Sequence, residues 1–92
     1  MEENKEPHVV KVSSKTIPKA AAGSIATVLK EYGYAEVKAI GAASVNQALK
    51  AIIITRGYCA PIGIDIVCIP SFETTYIDGV EKTRILMRIE GR

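Results

Sequence analysis

The alternation of apolar and polar positions predicts four extended and two helical segments. Val9-Val10-Lys11-Val12 is a short β-branched run closed by the polar cluster Ser13-Ser14-Lys15-Thr16, which predicts a first strand. Ile17-Pro18 follows, and proline suits a first helical turn because its missing N–H would be unpaired there anyway. Ala21, Ile25, Val28, Leu29 and Tyr32 then recur on one helical stripe, and Gly33 ends the helix. Val37 and Ala39 alternate with Glu36 and Lys38, which predicts a second strand over 35–40.

Gly41-Ala42-Ala43-Ser44 leads into a second helix, with Ser44 expected as its N-cap and Gly57 as its end. Val45, Ala48, Leu49, Ile52 and Ile53 form its expected buried stripe. Ile54 falls on the opposite side, which makes it a candidate oligomer contact. A third strand begins at Ile64 and is almost continuously apolar, the signature of a central strand covered on both faces. Pro70 implies that pairing loosens there, at an edge or a bulge. Asp78-Gly79 between two β-rich runs predicts a tight hairpin. On the last strand Thr83, Ile85, Met87 and Ile89 share one face, and Arg84 and Arg88 the other.

The order is β-α-β-α-β-β, an α/β two-layer domain with a mixed four-stranded sheet and two helices on one face. A helical crossover makes the first two strands parallel. Both strand-to-helix loops, 13–18 and 41–44, then leave the same end of the sheet. The division is an acidic, flexible tail over 1–8 and one domain over 9–92.

Composition narrows the function. The 92 residues carry a formal charge of +2, but Glu2, Glu3 and Glu6 oppose only Lys5 in the tail. The body is therefore modestly basic, which permits a polyanionic partner. With no Trp, one Phe and four Tyr, an aromatic platform for stacking bases is disfavoured. No apolar run approaches the roughly 20 residues needed to cross a bilayer, and no membrane partner is expected. Cys59 and Cys68 fit no zinc or redox spacing, so reduced thiols in the cytoplasm are expected, with no metal.

The two loops carry the main candidate chemistry. Each feeds a helix N-terminus, where free N–H groups and the helix dipole favour an anion. Ser13, Ser14, Lys15, Thr16 and Lys19 surround the first; Gly41, Ser44 and Asn46 belong to the second. Capping and turn chemistry explains the same Ser, Thr and Gly residues, and the sequence leaves both readings open. Neither a dinucleotide-binding nor a Walker pattern is present, and no cofactor is expected. The hairpin offers an arm, but Glu73, Asp78 and Glu81 stand against Lys82 and Arg84 on it. His8, the only histidine, lies in the tail, and the carboxylates show no convergence, so catalysis is not expected; a reactive Cys59 is left open.

Several blocks, in order, carry a resemblance: Val10-Lys11-Val12-Ser13-Ser14-Lys15, Ala39-Ile40-Gly41-Ala42-Ala43-Ser44-Val45-Asn46-Gln47-Ala48, Arg56-Gly57-Tyr58 and Cys68-Ile69-Pro70-Ser71-Phe72. Over 9–90 the chain resembles the stage V sporulation protein S family, which is similar in fold to the archaeal Alba chromatin proteins. The resemblance implies a small cytoplasmic, non-enzymatic regulatory protein linked to sporulation, including septation and spore-coat assembly. Alba proteins form dimers and grip nucleic acid with the two loops and the arm. By position this implies a homodimer contacting DNA or RNA through Ser14, Lys15 and Lys19 and through 41–46, with Gly41, Ser44 and Asn46; Lys50, and more weakly Arg84 and Arg88 on the sheet, are further candidate contacts. The second loop lacks the arginine typical of Alba, so the expected binding is weak, salt-dependent and indifferent to sequence. The alternative is an interaction or scaffold module acting on morphogenetic proteins.

Overall fold

The computed structural model describes residues 6–92. Strand β1 (Val9–Val12) leads to helix α1 (Pro18–Tyr32), strand β2 (Tyr34–Ala39) and helix α2 (Ala42–Cys59). A 3₁₀ turn (Ala60–Ile62) then precedes the long strands β3 (Ile66–Ile77) and β4 (Val80–Gly91). The sheet order is β1-β2-β4-β3, with β1 parallel to β2 and both other pairings antiparallel.

One face of the sheet meets both helices. Val12, Val37, Ala39, Met87 and Ile89 pack there against Ala21, Ile25, Val28, Ala48, Ala51 and Ile52. The helices approach closely because Ala22, Ala48 and Ala51 are fully buried and small. Thr55, also fully buried, donates its hydroxyl to the carbonyls of Ala51 and Ala22, at 2.8 and 3.3 Å. This local bond is what lets a hydroxyl sit in the helix–helix seam without an unpaired donor.

Both parts of the expected start and stop of α1 hold. Pro18 occupies its first turn, and Gly33 adopts φ 80°, donating its N–H to the Leu29 carbonyl. The hairpin turn is equally local, with Asp78 and Gly79 at φ 53° and 77°. Thr83, Ile85, Met87 and Ile89 face the helices, and Arg84 and Arg88 face away, as the alternation predicts.

Three expectations need correcting. β3 is not central. It lies at the end of the strand order, and β4 takes the inner place. Its apolar run reflects only partial cover: Ile66 is buried, Val67 and Cys68 half-buried, and Ile69 exposed. Pro70 agrees with an edge. Ser44 is not the N-cap of α2; Gly41 is, at φ 88°. Ser44 lies inside the helix with its side chain buried. The helix is also rotated from the expected stripe and runs through Gly57 to Cys59. Leu49 and Ile53 are therefore exposed, and Ile54 is half-buried. Of the tail expected over 1–8, only 6–8 are described. Residues 1–5 lie outside the described residues, but the His8 Nε2 sits 3.0 Å from Glu36 Oε1, with its ring 5.3 Å from that of Tyr34.

Candidate nucleic-acid interface

The register of β1 and β2 decides what the two loops can do together. Val12 pairs with Ala39, so both strands end level and both chains turn into helices side by side. The first loop is built as a hydroxyl turn. The Ser13 N–H donates to Thr16 Oγ1 at 2.8 Å, the Thr16 N–H to the Ser13 carbonyl at 3.1 Å, and the Lys15 N–H to Ser13 Oγ at 3.2 Å. Ser13 and Thr16 thus shape the loop, which leaves Ser14 and Lys15 on its outside, both exposed.

Gln47 ties this loop to the second helix. Its Nε2 donates to the Thr16 carbonyl at 2.9 Å, across 31 residues of sequence, while Oε1 lies 3.4 Å from Lys50 Nζ. Nothing in the sequence singled Gln47 out; its position one turn into α2, beside the loop, emerges only when the strands are aligned. Replacing Gln47 by Leu is expected to cost about 1 kcal/mol of stability, the net worth of one such bond. Thermal melts check this, and amide exchange should rise over 13–17 while the core exchanges unchanged.

Neither helix N-terminus has a side-chain cap or an acidic residue in its first turn. Their first intrahelical N–H donors are Ala21 and Val45, bonded to the Ile17 and Gly41 carbonyls. The N–H groups of Lys19, Ala20, Ala42, Ala43 and Ser44 therefore have no carbonyl partner within their helix. Positive potential from both helix ends and from exposed Lys15, Lys19 and Lys50 falls on one end of the domain. Among the described residues these three lysines make no ion pair. Gly41 and Asn46 are exposed at the same end, whereas Ser44 offers only its backbone.

Arg84 and Arg88 are on the other face, among a network that the sequence reading missed. Glu73 accepts from both Arg84 and Lys38, and Lys38 also lies 3.6 Å from Glu6. Arg88 stacks over the Tyr34 ring at 4.1 Å and bonds Glu90 at 2.8 Å. Partial burial disfavours the ionised Glu73 carboxylate, but the hydrogen bonds and charges of Arg84 and Lys38 outweigh it and hold its pKa below the ordinary value. The pairings at 38↔86 and 73↔84 could not be foreseen without the strand order.

An apolar groove adjoins the loops. Val45 and Leu49 of α2 form one wall, and Phe72, Thr83 and Ile85 of the hairpin the other. Cys59, which lies beyond the expected helix end at Gly57, is buried in the last turn of α2. Cys68 is half-buried, and that burial pushes its thiol pKa up, away from the reactive thiolate. No helix is long and apolar enough to cross a membrane among the described residues.

The family model of stage V sporulation protein S matches residues 8–92, which takes in every strand and helix and both loops. That family is a sporulation-related one and not a known enzyme family. The chain belongs to the stage V sporulation protein S family.

Proposed function

We propose that this protein binds the nucleic-acid backbone through the end of the domain formed by its two strand–helix loops, as a regulatory homodimer without catalytic activity. The observation that carries this reading is the Gln47–Thr16 tie, which holds two uncapped helix N-termini together beside Lys15, Lys19 and Lys50. Phosphates are the natural complement, because each helix end presents N–H donors without an intrahelical acceptor and each lysine a charge without an acidic partner among the described residues. Ser14, Gly41 and Asn46 contribute polar contacts at the same end. Arg84 and Arg88 are weaker contributors, since a polyanion would have to compete with Glu73 and Glu90 for them. The similarity of the family to Alba proteins supports both the binding mode and the homodimer.

Two or three phosphate contacts per subunit make the binding weak and strongly salt-dependent, with a log–log salt slope of about −0.9 per contact. Labelled duplex DNA, single-stranded DNA and RNA, titrated at two salt concentrations, test this. Reversing two charges, Lys15→Glu with Lys19→Glu, is expected to weaken binding at low salt by at least about tenfold and to flatten the slope by about 2. Binding that ignored both salt and the reversals would sink the phosphate model.

One observation favours a second reading, that of a protein-interaction module acting on morphogenetic partners. Leu49 and Phe72, in the groove beside the second loop, are 45% and 78% exposed, and Ile53, one turn further along α2, is 69% exposed, a large apolar share for the surface of a small domain. Absence of nucleic-acid binding at low salt would leave this reading in place.

A further inference from the structure

Among the described residues the outer edge of β3 has no strand beside it, and the geometry of the hairpin fixes which of its backbone groups point there. In a two-residue turn with positive φ at both positions, the closing pair Ile77↔Val80 exchanges both N–H···O bonds. Bonded pairs then alternate along the ladder, so Thr75, Glu73 and Ser71 also bond inward to β4. Tyr76, Thr74 and Phe72 point their N–H and C=O groups outward, to the open edge. Pro70 falls in this outward set. Its missing N–H costs the β4 pairing nothing and stops any addition to the edge beyond residue 71.

We propose that a second copy of this chain occupies this edge, by antiparallel addition of β3 to β3 about a dyad through Thr74. The inference takes the homodimer from the reading above and names its contact. It does not depend on nucleic-acid binding.

The register follows from the residues. With Thr74 opposite Thr74 of the second copy, Phe72 lies opposite Tyr76 and Tyr76 opposite Phe72. Each of the three outward-pointing residues meets an extended partner with an N–H, and each pair exchanges two backbone bonds. A shift toward the amino end would put Tyr76 opposite Pro70, losing a donor, and Glu73 opposite Glu73. A shift toward the turn would put Phe72 opposite Asp78, whose φ of 53° is not extended. The dyad at Thr74 alone avoids all three faults.

Side chains agree with this register. Phe72 and Tyr76 are 78% and 67% exposed on the helix-facing side of the arm, and cross-strand aromatic pairs of this kind stabilise a sheet. On the other side Glu73 would face Thr75, while its carboxylate stays engaged by Arg84 and Lys38 of its own chain. A long, apolar, open edge is otherwise an aggregation hazard; a closed two-fold pairing removes it.

Thr74→Pro removes an outward N–H that β4 does not use, so the fold should keep its melting behaviour. It deletes both bonds at the dyad, and the dimer dissociation constant in sedimentation equilibrium is expected to rise at least about 30-fold. Thr74→Cys should form a disulfide between two copies on mild oxidation, mapped as 74–74 by mass spectrometry. Thr83→Cys, on the same face of the arm but on the inner strand, should not. A wild type that is monomeric at 100 μM, or a Thr74→Pro dimer as tight as wild type, would overturn the proposal. The Lys15→Glu/Lys19→Glu variant separates the two readings. It should lose nucleic acid yet dimerise normally, and Thr74→Pro should bind nucleic acid as a monomer with a shallower salt slope.

Discussion

Replacing Ile89 by alanine is expected to destabilise the domain by about 3 kcal/mol and to lower its melting temperature by roughly 15 °C. Ile89 is fully buried on β4, where it sits opposite Ala35 of β2 and Cys68 of β3. Ala35 is itself fully buried and too small to refill the space, so the lost methyl groups leave a cavity rather than a collapse. A domain of this length has only about 5–15 kcal/mol of stability in total, which makes this one of the largest single-residue effects available. Denaturant melts at two probes check it. Ile89→Val, which keeps the branched Cβ, should cost about 1 kcal/mol. A loss below 1 kcal/mol for Ile89→Ala would mean that β4 is less central than its place in the sheet indicates.

Glu73→Gln is expected to be almost as costly, for an electrostatic reason. Lys38 is only 8% exposed, and its closest anionic partner is the Glu73 carboxylate at 3.2 Å, with Glu6 further off at 3.6 Å. Removing the charge of Glu73 leaves a buried ammonium underpaired, at a cost of about 2 kcal/mol. This is below the 3–5 kcal/mol of a fully buried broken pair because Glu73 is partly solvated and Glu6 remains. Adding Lys38→Met should recover most of the loss, since the unpaired charge is then gone; a cycle of the four proteins measures the coupling.

The pH dependence has a definite sign. The folded-state pKa of Glu73 is held below its ordinary 4.5, so its ionised form stabilises the fold fully above that value. The contribution disappears as pH falls through the lowered folded value. Wild type and Glu73→Gln should therefore converge in stability under acid and differ most at neutral pH. A gap that widened on acidification would contradict the pairing.

The apolar groove, the charge network and the open β3 edge bear on function in different ways. The loops at one end present N–H groups without an intrahelical acceptor and lysines that make no ion pair among the described residues, which suits a polyanion. The sheet face opposite the helices also carries Lys38, Arg84 and Arg88, but Glu73, Glu90 and Glu36 stand among them. Counting lysines and arginines thus overstates what a nucleic acid would meet. Lys15, Lys19 and Lys50 at the loop end make no ion pair among the described residues, whereas Lys38, Arg84 and Arg88 on the sheet face do.

The elements were legible wherever a local rule forced them. Proline in the first turn of α1, glycine in the left-handed region at residue 33, and the Asp78-Gly79 turn each act through their own backbone, so neighbours need not be known. Alternation on β4 survived because a strand with one covered face must sort its side chains. The second helix was misread for the complementary reason. It carries apolar residues around most of its circumference, so periodicity could not choose which of them point inward. Its start failed too: Ser44 looks like a cap, but the turn at Gly41 begins the helix three residues earlier.

The sequence by itself determined the order of elements, the parallel pairing of the first two strands and therefore the shared end of the two loops. These follow from periodicity, from turn residues and from the handedness of a crossover, all of which act over a few residues or one connection. It also showed that the body is only modestly basic. What the tertiary structure alone decided was which strand is central, which face of α2 is bare, that Gln47 joins the loops, and which cations are already paired. Each of those depends on residues far apart in the chain meeting across a sheet. The more apolar of the two long strands, β3, does not take the inner place, because packing against neighbours on both sides is what puts β4 there.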